Sequence, residues 1–371
     1  MSTERATIAV DARLVGYAAG IARYVTLLAQ GLAKIEGPER YVVLRSRRGE
    51  QAPFGLPGRL CLTPPHHRLE RWALPLELLA RGQPSLLHSV DHVAPAWGPW
   101  RSVVTLHDLA FLVYPKTHTP SSRAYYAATG QSARRAERVI AVSQRTASDA
   151  VRLLGVDPAR IRVIYEAADP SFVPRPRQDL APVAARLEVD AQRPYVLFVG
   201  TLEPRKNIPL LIEAFARVRS EHPQLQLVLV GGRGWLDAPI FAAHDRSGVG
   251  SSAHFVGWLE ARDLAVLYSQ AAVFVLPSLY EGFGLPVLEA MACGAPVVCS
   301  NAGPLPEVAG DAALLLTPEE PDAWAEAIKR VLGDSQLSAD LRARGMRRAE
   351  LFSWERTAQA TREVYREALL A

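Results

Sequence analysis

Glu281-Gly282-Phe283-Gly284-Leu285-Pro286-Val287-Leu288-Glu289 decides the fold of this chain, through what lies on either side of it. The apolar run from Ala271 to Leu276 reads as a buried strand, and the residues after the stretch have helical spacing. The stretch is therefore a strand-to-helix turn. Glycines let a backbone approach a ligand closely, and Pro286 suits a first helical turn, where its missing N–H costs nothing. Free N–H groups and the helix dipole at such a turn favour phosphate. Like charges repel, so Glu281 and Glu289 are better used to accept hydroxyl groups of a sugar or ribose. These features describe a seat for a nucleotide-linked sugar.

The same alternation extends outward. In the first half, strands at 7–10, 41–44, 86–88, 103–106, 139–142 and 161–164 alternate with helical spacing over 20–33, 69–80, 125–135 and 143–154. In the second, strands at 195–199, 225–230, 254–256, 273–276, 296–299 and 313–315 alternate with helices at 209–221, 262–270, 321–332 and 338–351. This pitch predicts parallel βαβ units. Pro170, Pro174, Pro176, Pro182 and Pro194 fall between the two series with little apolar periodicity, as in a linker. The expected fold class is thus α/β, with two Rossmann-like doubly wound domains. Residues 1–170 form the first, 171–194 a linker and 195–352 the second, while helix 353–371 packs back on the first domain. Two such sheets facing each other predict a ligand in the cleft at their strand C-terminal ends.

Composition narrows the function classes. A chain of 371 residues with 49% hydrophobic and 22% charged residues is ordinary for a soluble protein of about two domains. No apolar run reaches the roughly 18 residues that span a bilayer, and the N-terminus carries no signal segment. Cys61, Cys293 and Cys299 lie in apolar sequence without metal or redox spacing, which predicts buried thiols in a reducing cytoplasm. Residues 1–170 hold 22 Lys+Arg against 14 Asp+Glu, an excess of +8, whereas the remainder has an excess of −4. A basic first half suits an anionic partner such as a lipid diphosphate or an acidic membrane face, or is simply a solvated arginine-rich surface. Nucleic acid is not an expected partner.

A phosphate contact is also expected at Gly200-Thr201-Leu202-Glu203-Pro204-Arg205-Lys206-Asn207, which follows the strand at 195–199. Arg205 offers a planar fork and Lys206 a point charge, together able to neutralise a diphosphate.

The Glu281–Glu289 turn and Glu203-Pro204-Arg205-Lys206-Asn207 together resemble the retaining glycosyltransferases of family 4, whose fold is called GT-B. Further matching motifs are Gly20-Ile21-Ala22-Arg23-Tyr24, His107-Asp108-Leu109, Ala141-Val142-Ser143 and Ser300-Asn301-Ala302-Gly303-Pro304-Leu305-Pro306-Glu307-Val308. The likeness is strongest to the bacterial mannosyltransferase-like branch. It implies that Glu281 holds donor-sugar hydroxyls, with Gly282, Phe283, Gly284 and Leu285 near the phosphates, and that Glu289 holds the ribose. It implies that Gly200, Thr201, Arg205 and Lys206 face the diphosphate, and that Gly20 brings backbone N–H groups to it from the first domain. His107 is implied near the anomeric carbon. Many members carry arginine after the glycine of the phosphate turn; Thr201 stands there in this chain, leaving more of the charge to Arg205 and Lys206. The expected donor is a nucleotide sugar, GDP-mannose first, read at its base around Leu259. The expected acceptor is a saccharide or a polyprenyl-linked saccharide, with Asp108 and His88 on the acceptor side. No Asp-x-Asp occurs, so neither a metal nor another cofactor is expected.

Other features stay open at this level. Val230-Gly231-Gly232-Arg233-Gly234-Trp235 lacks a full dinucleotide pattern and reads as a turn with flexible glycines. The segment 68–81, rich in Trp and Leu, reads as a helix against the sheet or as a membrane-surface element, short or broken at Pro75 in either case. His66 and His67 read as surface residues. Rival functions are a nucleotide-sugar epimerase, a phosphorylase-type enzyme on the same frame, and a non-catalytic sugar-nucleotide binder.

Overall fold

The computed structural model describes residues 5–16, 19–47, 54–67 and 69–371. It divides into two compact units. One comprises residues 1–115, 119–166 and 353–371, and the other residues 116–118 and 167–352.

The first unit is built on a wholly parallel sheet. Its strands are β1 (Thr7–Asp11), β2 (Arg40–Arg45), β3 (Gly58–Leu60), β4 (Leu86–Ser89), β5 (Arg101–Leu106), β6 (Arg138–Ala141) and β7 (Ile161–Val163), ordered β3-β2-β1-β4-β5-β6-β7. The second unit holds another parallel sheet. It consists of β8 (Tyr195–Val199), β9 (Gln226–Val230), β10 (Ala253–Gly257), β11 (Val273–Leu276), β12 (Val297–Ser300) and β13 (Ala313–Leu316), ordered β10-β9-β8-β11-β12-β13. The central strands β8, β9, β11 and β12 are buried along their whole length, and apart from Gln226 and Ser300 at strand ends their sequences are apolar, as a sheet covered on both faces requires. Each sheet reverses its winding once, between β1 and β4 in the first and between β8 and β11 in the second. Ligands of open α/β sheets bind outside the strand C-termini at such a switch point.

The C-terminal helix Trp354–Leu370 belongs to the first unit and lies against helix Ala19–Ala33. A Cβ added to Gly31 would sit 2.7 Å from Ala358 Cβ, so the two helices meet where a side chain is missing. Polar ties reinforce the seam. Glu39 pairs with Arg362 at 3.0 Å and Arg366 at 2.7 Å, and Glu367 pairs with Arg138 and Arg162 at 2.8 and 2.7 Å.

Several local expectations give way. The 171–194 segment is not a bare linker: it contains helix Leu180–Arg186, with Leu180, Val183 and Ala184 buried. Its Arg175 backbone bonds Ser269 and Gln270 at 2.9 and 2.6 Å, fixing it to the second unit. The helix expected over 125–135 is two, Pro120–Tyr126 and Thr129–Arg135; Thr119 caps the first by accepting from Ser122 N, with Pro120 in its first turn. Helix Glu70–Arg81 runs straight through Pro75. Proline leaves the carbonyl four residues back without its helical partner, and that oxygen, on Arg71, accepts from Ala96 N at 2.9 Å instead. Arg68 lies outside the described residues. Cys61, Cys293 and Cys299 are buried free thiols.

Candidate active site

In the second unit, Gly200–Asn207 leaves the end of β8 and Pro277–Gly284 leaves the end of β11, on either side of the switch point. The two loops are bound together by charge. Lys206 Nζ lies 2.6 Å from Glu281 Oε1, and Arg205 Nη1 lies 2.8 Å from Glu281 Oε2. Arg205 also reaches Tyr280 O at 2.9 Å and Glu203 Oε1 at 2.8 Å, while Ser278 Oγ donates to Glu281 Oε1 at 2.6 Å. Burial alone would raise the Glu281 pKa, but the Lys206 and Arg205 charges and the Lys206 and Ser278 hydrogen bonds outweigh it and hold it at about 2. A carboxylate has about four lone-pair positions; Lys206, Ser278 and Arg205 occupy three on Glu281 and leave one on Oε2. Arg205, with 17% of its side chain exposed, is the more open cation, and Lys206 at 7% is nearly enclosed.

The glycines shape this cluster. Gly284 caps helix Leu285–Ala292 at φ +110°, and a Cβ there would stand 2.6 Å from Leu305 Cδ2. Gly303, in the Ser300–Val308 motif, passes so close to Glu281 that a Cβ would meet its backbone N at 3.3 Å. Gly231 adopts φ +147° with its Cα against the Gly200 carbonyl, where no side chain fits. The Val230–Trp235 turn is therefore not loose: Leu202 N bonds Gly232 O at 3.0 Å and Gly234 N bonds Leu202 O at 3.1 Å. Sequence reasoning missed this clamp on the phosphate loop. Its signal was present, since two glycine turns following adjacent parallel strands must lie side by side. Glu289, on the second turn of its helix, is buried and accepts from Tyr268 OH at 3.1 Å. Leu259 follows the end of β10, half-buried beside the exposed Trp258.

In the first unit, Gly20 is the second residue of helix Ala19–Ala33, with nothing within 4 Å of a Cβ built on it. His107 follows the end of β5, its ring edge-on to Tyr24 at 4.7 Å. Its Nδ1 lies 3.0 Å from Glu166 Oε1 and its Nε2 lies 2.9 Å from Val90 O. Asp108, two residues before the short helix Ala110–Val113, accepts from Ala110 N at 2.9 Å.

His88 is a correction. It is fully buried, with Nδ1 2.7 Å from Tyr365 OH and Nε2 2.7 Å from Thr105 Oγ1, and burial lowers its pKa to about 3. It ties the C-terminal helix to the sheet and cannot touch an acceptor. His66 is not a bare surface residue either: its Nε2 lies 2.6 Å from Asp91 Oδ2.

The pattern that describes Glycosyltransferase Family 4 matches residues 18–172, and that for glycosyl transferases group 1 matches residues 183–348. The O-antigen chain mannosyltransferase B of Escherichia coli is 37% identical over 269 residues, 72% of this chain and 70% of that protein. The chain belongs to the family 4 glycosyltransferases. A D-inositol 3-phosphate glycosyltransferase of Salinispora arenicola is 34% identical over 68% of this chain and 59% of its own length. Among solved structures, sucrose-phosphate synthase from Thermosynechococcus elongatus superposes with TM-score 0.79 at 26% identity over 98% of both chains, and the fold of this glycosyltransferase is GT-B. Among the described residues, no helix is long and apolar enough to cross a membrane.

Proposed function

We propose that this glycosyltransferase moves mannose, or a closely related hexose, from a nucleotide-diphosphate donor to a saccharide or lipid-linked saccharide, with retention at the anomeric carbon and without a metal. The Arg205–Lys206–Glu281 cluster at the switch point of the second sheet carries the reading. A departing diphosphate needs charge stabilisation in a site that disfavours water. Arg205 and Lys206 supply that charge, and Glu281 aims both while its remaining lone pair accepts a donor-sugar hydroxyl. Glu289 serves the ribose, and backbone N–H groups of Gly282, Phe283, Gly284 and Leu285 serve the phosphates. On this reading the leaving phosphate oxygen takes the acceptor's proton on the same face as attack.

Likeness to the O-antigen mannosyltransferase favours mannose, and hence GDP-mannose, as donor. A phosphorylase would hold pyridoxal phosphate on a lysine, but Lys329, the one lysine after Lys206, lies on helix Pro321–Gly333 and pairs there with Glu326 and with Glu221 at the end of helix Ile208–Glu221. The test is thermal stabilisation by GDP-, UDP- and dTDP-sugars, since a ligand of the folded state raises its melting temperature. GDP-mannose is expected to stand out and to lose its effect in Lys206→Ala. Stabilisation by none of the three classes overturns the reading.

The proposal extends to the cytoplasmic membrane face. Leu69, Trp72, Leu76 and Leu79 are spaced by three and four residues along one exposed side of helix Glu70–Arg81, while Leu74 and Leu78 pack inward with Ala9, Leu44 and Leu87. An exposed apolar stripe on a basic half fits peripheral association with anionic lipid. Flotation with phosphatidylglycerol vesicles is expected for the wild type and lost in Trp72→Ser/Leu76→Ser; equal flotation of both would remove this part.

A further inference from the structure

Helix Ala261–Gln270 leads into β11, and helix Leu285–Ala292 leads out of the loop that follows it. On the first helix Leu264, Ala265, Val266, Leu267 and Tyr268 are all buried, a run that its apolar sequence assigns to the core. The Tyr268 hydroxyl is the one polar side-chain group in that run. A buried tyrosine hydroxyl needs a partner, and here it is Glu289 Oε2, 3.1 Å away on the second helix. An ionised carboxylate only accepts, so the tyrosine donates and takes one of the roughly four lone-pair positions of Glu289.

Tyr268 is held more firmly than the group it meets. It is fully buried, and its ring stands edge-on to Phe274 of β11 at 5.4 Å and to Phe172 at 5.8 Å. Once the ring is packed, the place of its oxygen is set. A glutamate side chain has one more torsion, and the last of them is broad, so a carboxylate left to itself turns about it. Tying Oε2 to Tyr268 sets the plane of the Glu289 carboxylate. A ribose presents its 2′ and 3′ hydroxyls along one edge of the ring, and the two meet a carboxylate together in only one orientation of that plane. Setting the plane beforehand removes an ordering cost from binding. It also makes a missing hydroxyl costly, because the locked oxygen cannot turn to another donor.

We propose that Tyr268 is a positioning residue: its hydrogen bond holds the Glu289 carboxylate in the plane that meets both ribose hydroxyls, and so makes the site discriminate ribonucleotide from 2′-deoxyribonucleotide donors. The inference rests on the reading that Glu289 serves the ribose. It deepens that reading by assigning the selectivity to a residue too deeply buried to touch the donor. A dTDP-sugar, which lacks the 2′-hydroxyl, is then disfavoured at its sugar whatever its base.

The test uses the full chain and isothermal titration with two matched pairs, GDP with 2′-deoxy-GDP and UDP with 2′-deoxy-UDP, so that either base is covered. In the pair that binds the wild type, the ribonucleotide is expected to bind more tightly than its 2′-deoxy form by about tenfold or more. Tyr268→Phe keeps the packed ring and is expected to cut that ratio to about threefold or less, while the 2′-deoxy affinity itself changes by less than about twofold. A merely structural role would weaken both nucleotides alike, and that outcome overturns the inference. So does a wild-type ratio retained in folded Tyr268→Phe. Glu289→Asp draws the carboxylate back from the Tyr268 hydroxyl by one methylene and is expected to lower the ratio in the same way; a full ratio there also overturns the inference. A wild type that binds a ribonucleotide and its 2′-deoxy form equally overturns the inference alone. Binding of neither ribonucleotide overturns the nucleotide-sugar reading itself, so the two failures are distinguishable.

Discussion

The Glu166 carboxylate lies 3.0 Å from Nδ1 of His107 and fixes the charge on that ring. On the far side Nε2 lies 2.9 Å from the Val90 carbonyl, an oxygen that can only accept, so Nε2 carries a proton. Nδ1 faces a carboxylate and carries the other. Burial alone would lower the His107 pKa, but the Glu166 hydrogen bond and charge, with Asp91 behind it, raise it overall. With both ring nitrogens held by protein oxygens, the surroundings favour the protonated imidazole over the neutral one.

This arrangement predicts a pH effect with a definite sign. The folded pKa is raised, so the pair's stabilisation is complete below the unfolded histidine value and is lost as pH rises through the folded one. Glu166→Gln keeps an acceptor for Nδ1 but removes the charge. The His107 titration is expected to move to lower pH in Glu166→Gln and to return part of the way in Glu166→Asp. Nitrogen NMR of the His107 ring checks the titration directly; an identical titration in Glu166→Gln and wild type would show that the carboxylate does not set the charge.

Glu281 predicts a stability loss and a binding loss that can be separated. Removing one partner of a buried pair leaves the other charge uncompensated, at about 3–5 kcal/mol. Glu281→Gln strands the Lys206 ammonium, so its melting temperature should fall sharply. Adding Lys206→Met removes the stranded charge and should recover much of the stability while donor stabilisation stays absent. The Glu281 pKa of about 2 lies below the ordinary carboxylate range, so its contribution is present above that range and disappears as pH falls towards 2. Urea titrations at pH 7 and pH 3 measure both effects.

Gly231 predicts damage to donor binding from a residue that bears no functional group. A methyl group there collides with the Gly200 carbonyl, and φ +147° is strained for any L side chain. Gly231→Ala should displace the Gly200–Leu202 loop and weaken donor binding by tenfold or more, while Gly232→Ala, with open space around it, should not. Isothermal titration with the donor compares the two.

The sheets and the charged loops were legible in the sequence because local rules decide them. Buried parallel strands such as 195–199 and 273–276 are unbroken apolar runs, and Glu281, Arg205 and Lys206 stand in loops whose glycines announce them. What stayed hidden depends on partners far away along the chain. Nothing near His88 shows that Tyr365, 277 positions on, closes over it. The survival of helix Glu70–Arg81 through Pro75 depends on Ala96 answering the freed Arg71 carbonyl. The helix at 180–186 is short and sits among prolines that read as linker, and only its packing reveals it. The mutual binding of Arg205, Lys206 and Glu281 follows from the β8–β11 adjacency, which the order of strands along the chain does not give.

The seam between Gly31 and Ala358 predicts a reversal of sign. Replacing glycine by alanine inside a helix ordinarily stabilises by about 1 kcal/mol. Here the new methyl group would stand 2.7 Å from Ala358 Cβ and 3.1 Å from the Trp354 carbonyl, both on the C-terminal helix. Overpacking of this kind costs about 1–3 kcal/mol, so Gly31→Ala should destabilise the protein instead. Ala358→Gly removes one of the two clashes at its own helical cost of about 1 kcal/mol. The double variant should therefore be more stable than the sum of the single effects, with a coupling of at least about 0.5 kcal/mol, the level at which residues in contact depart from additivity. Urea denaturation of the four proteins measures it, and strict additivity would mean that the C-terminal helix is not seated on Gly31.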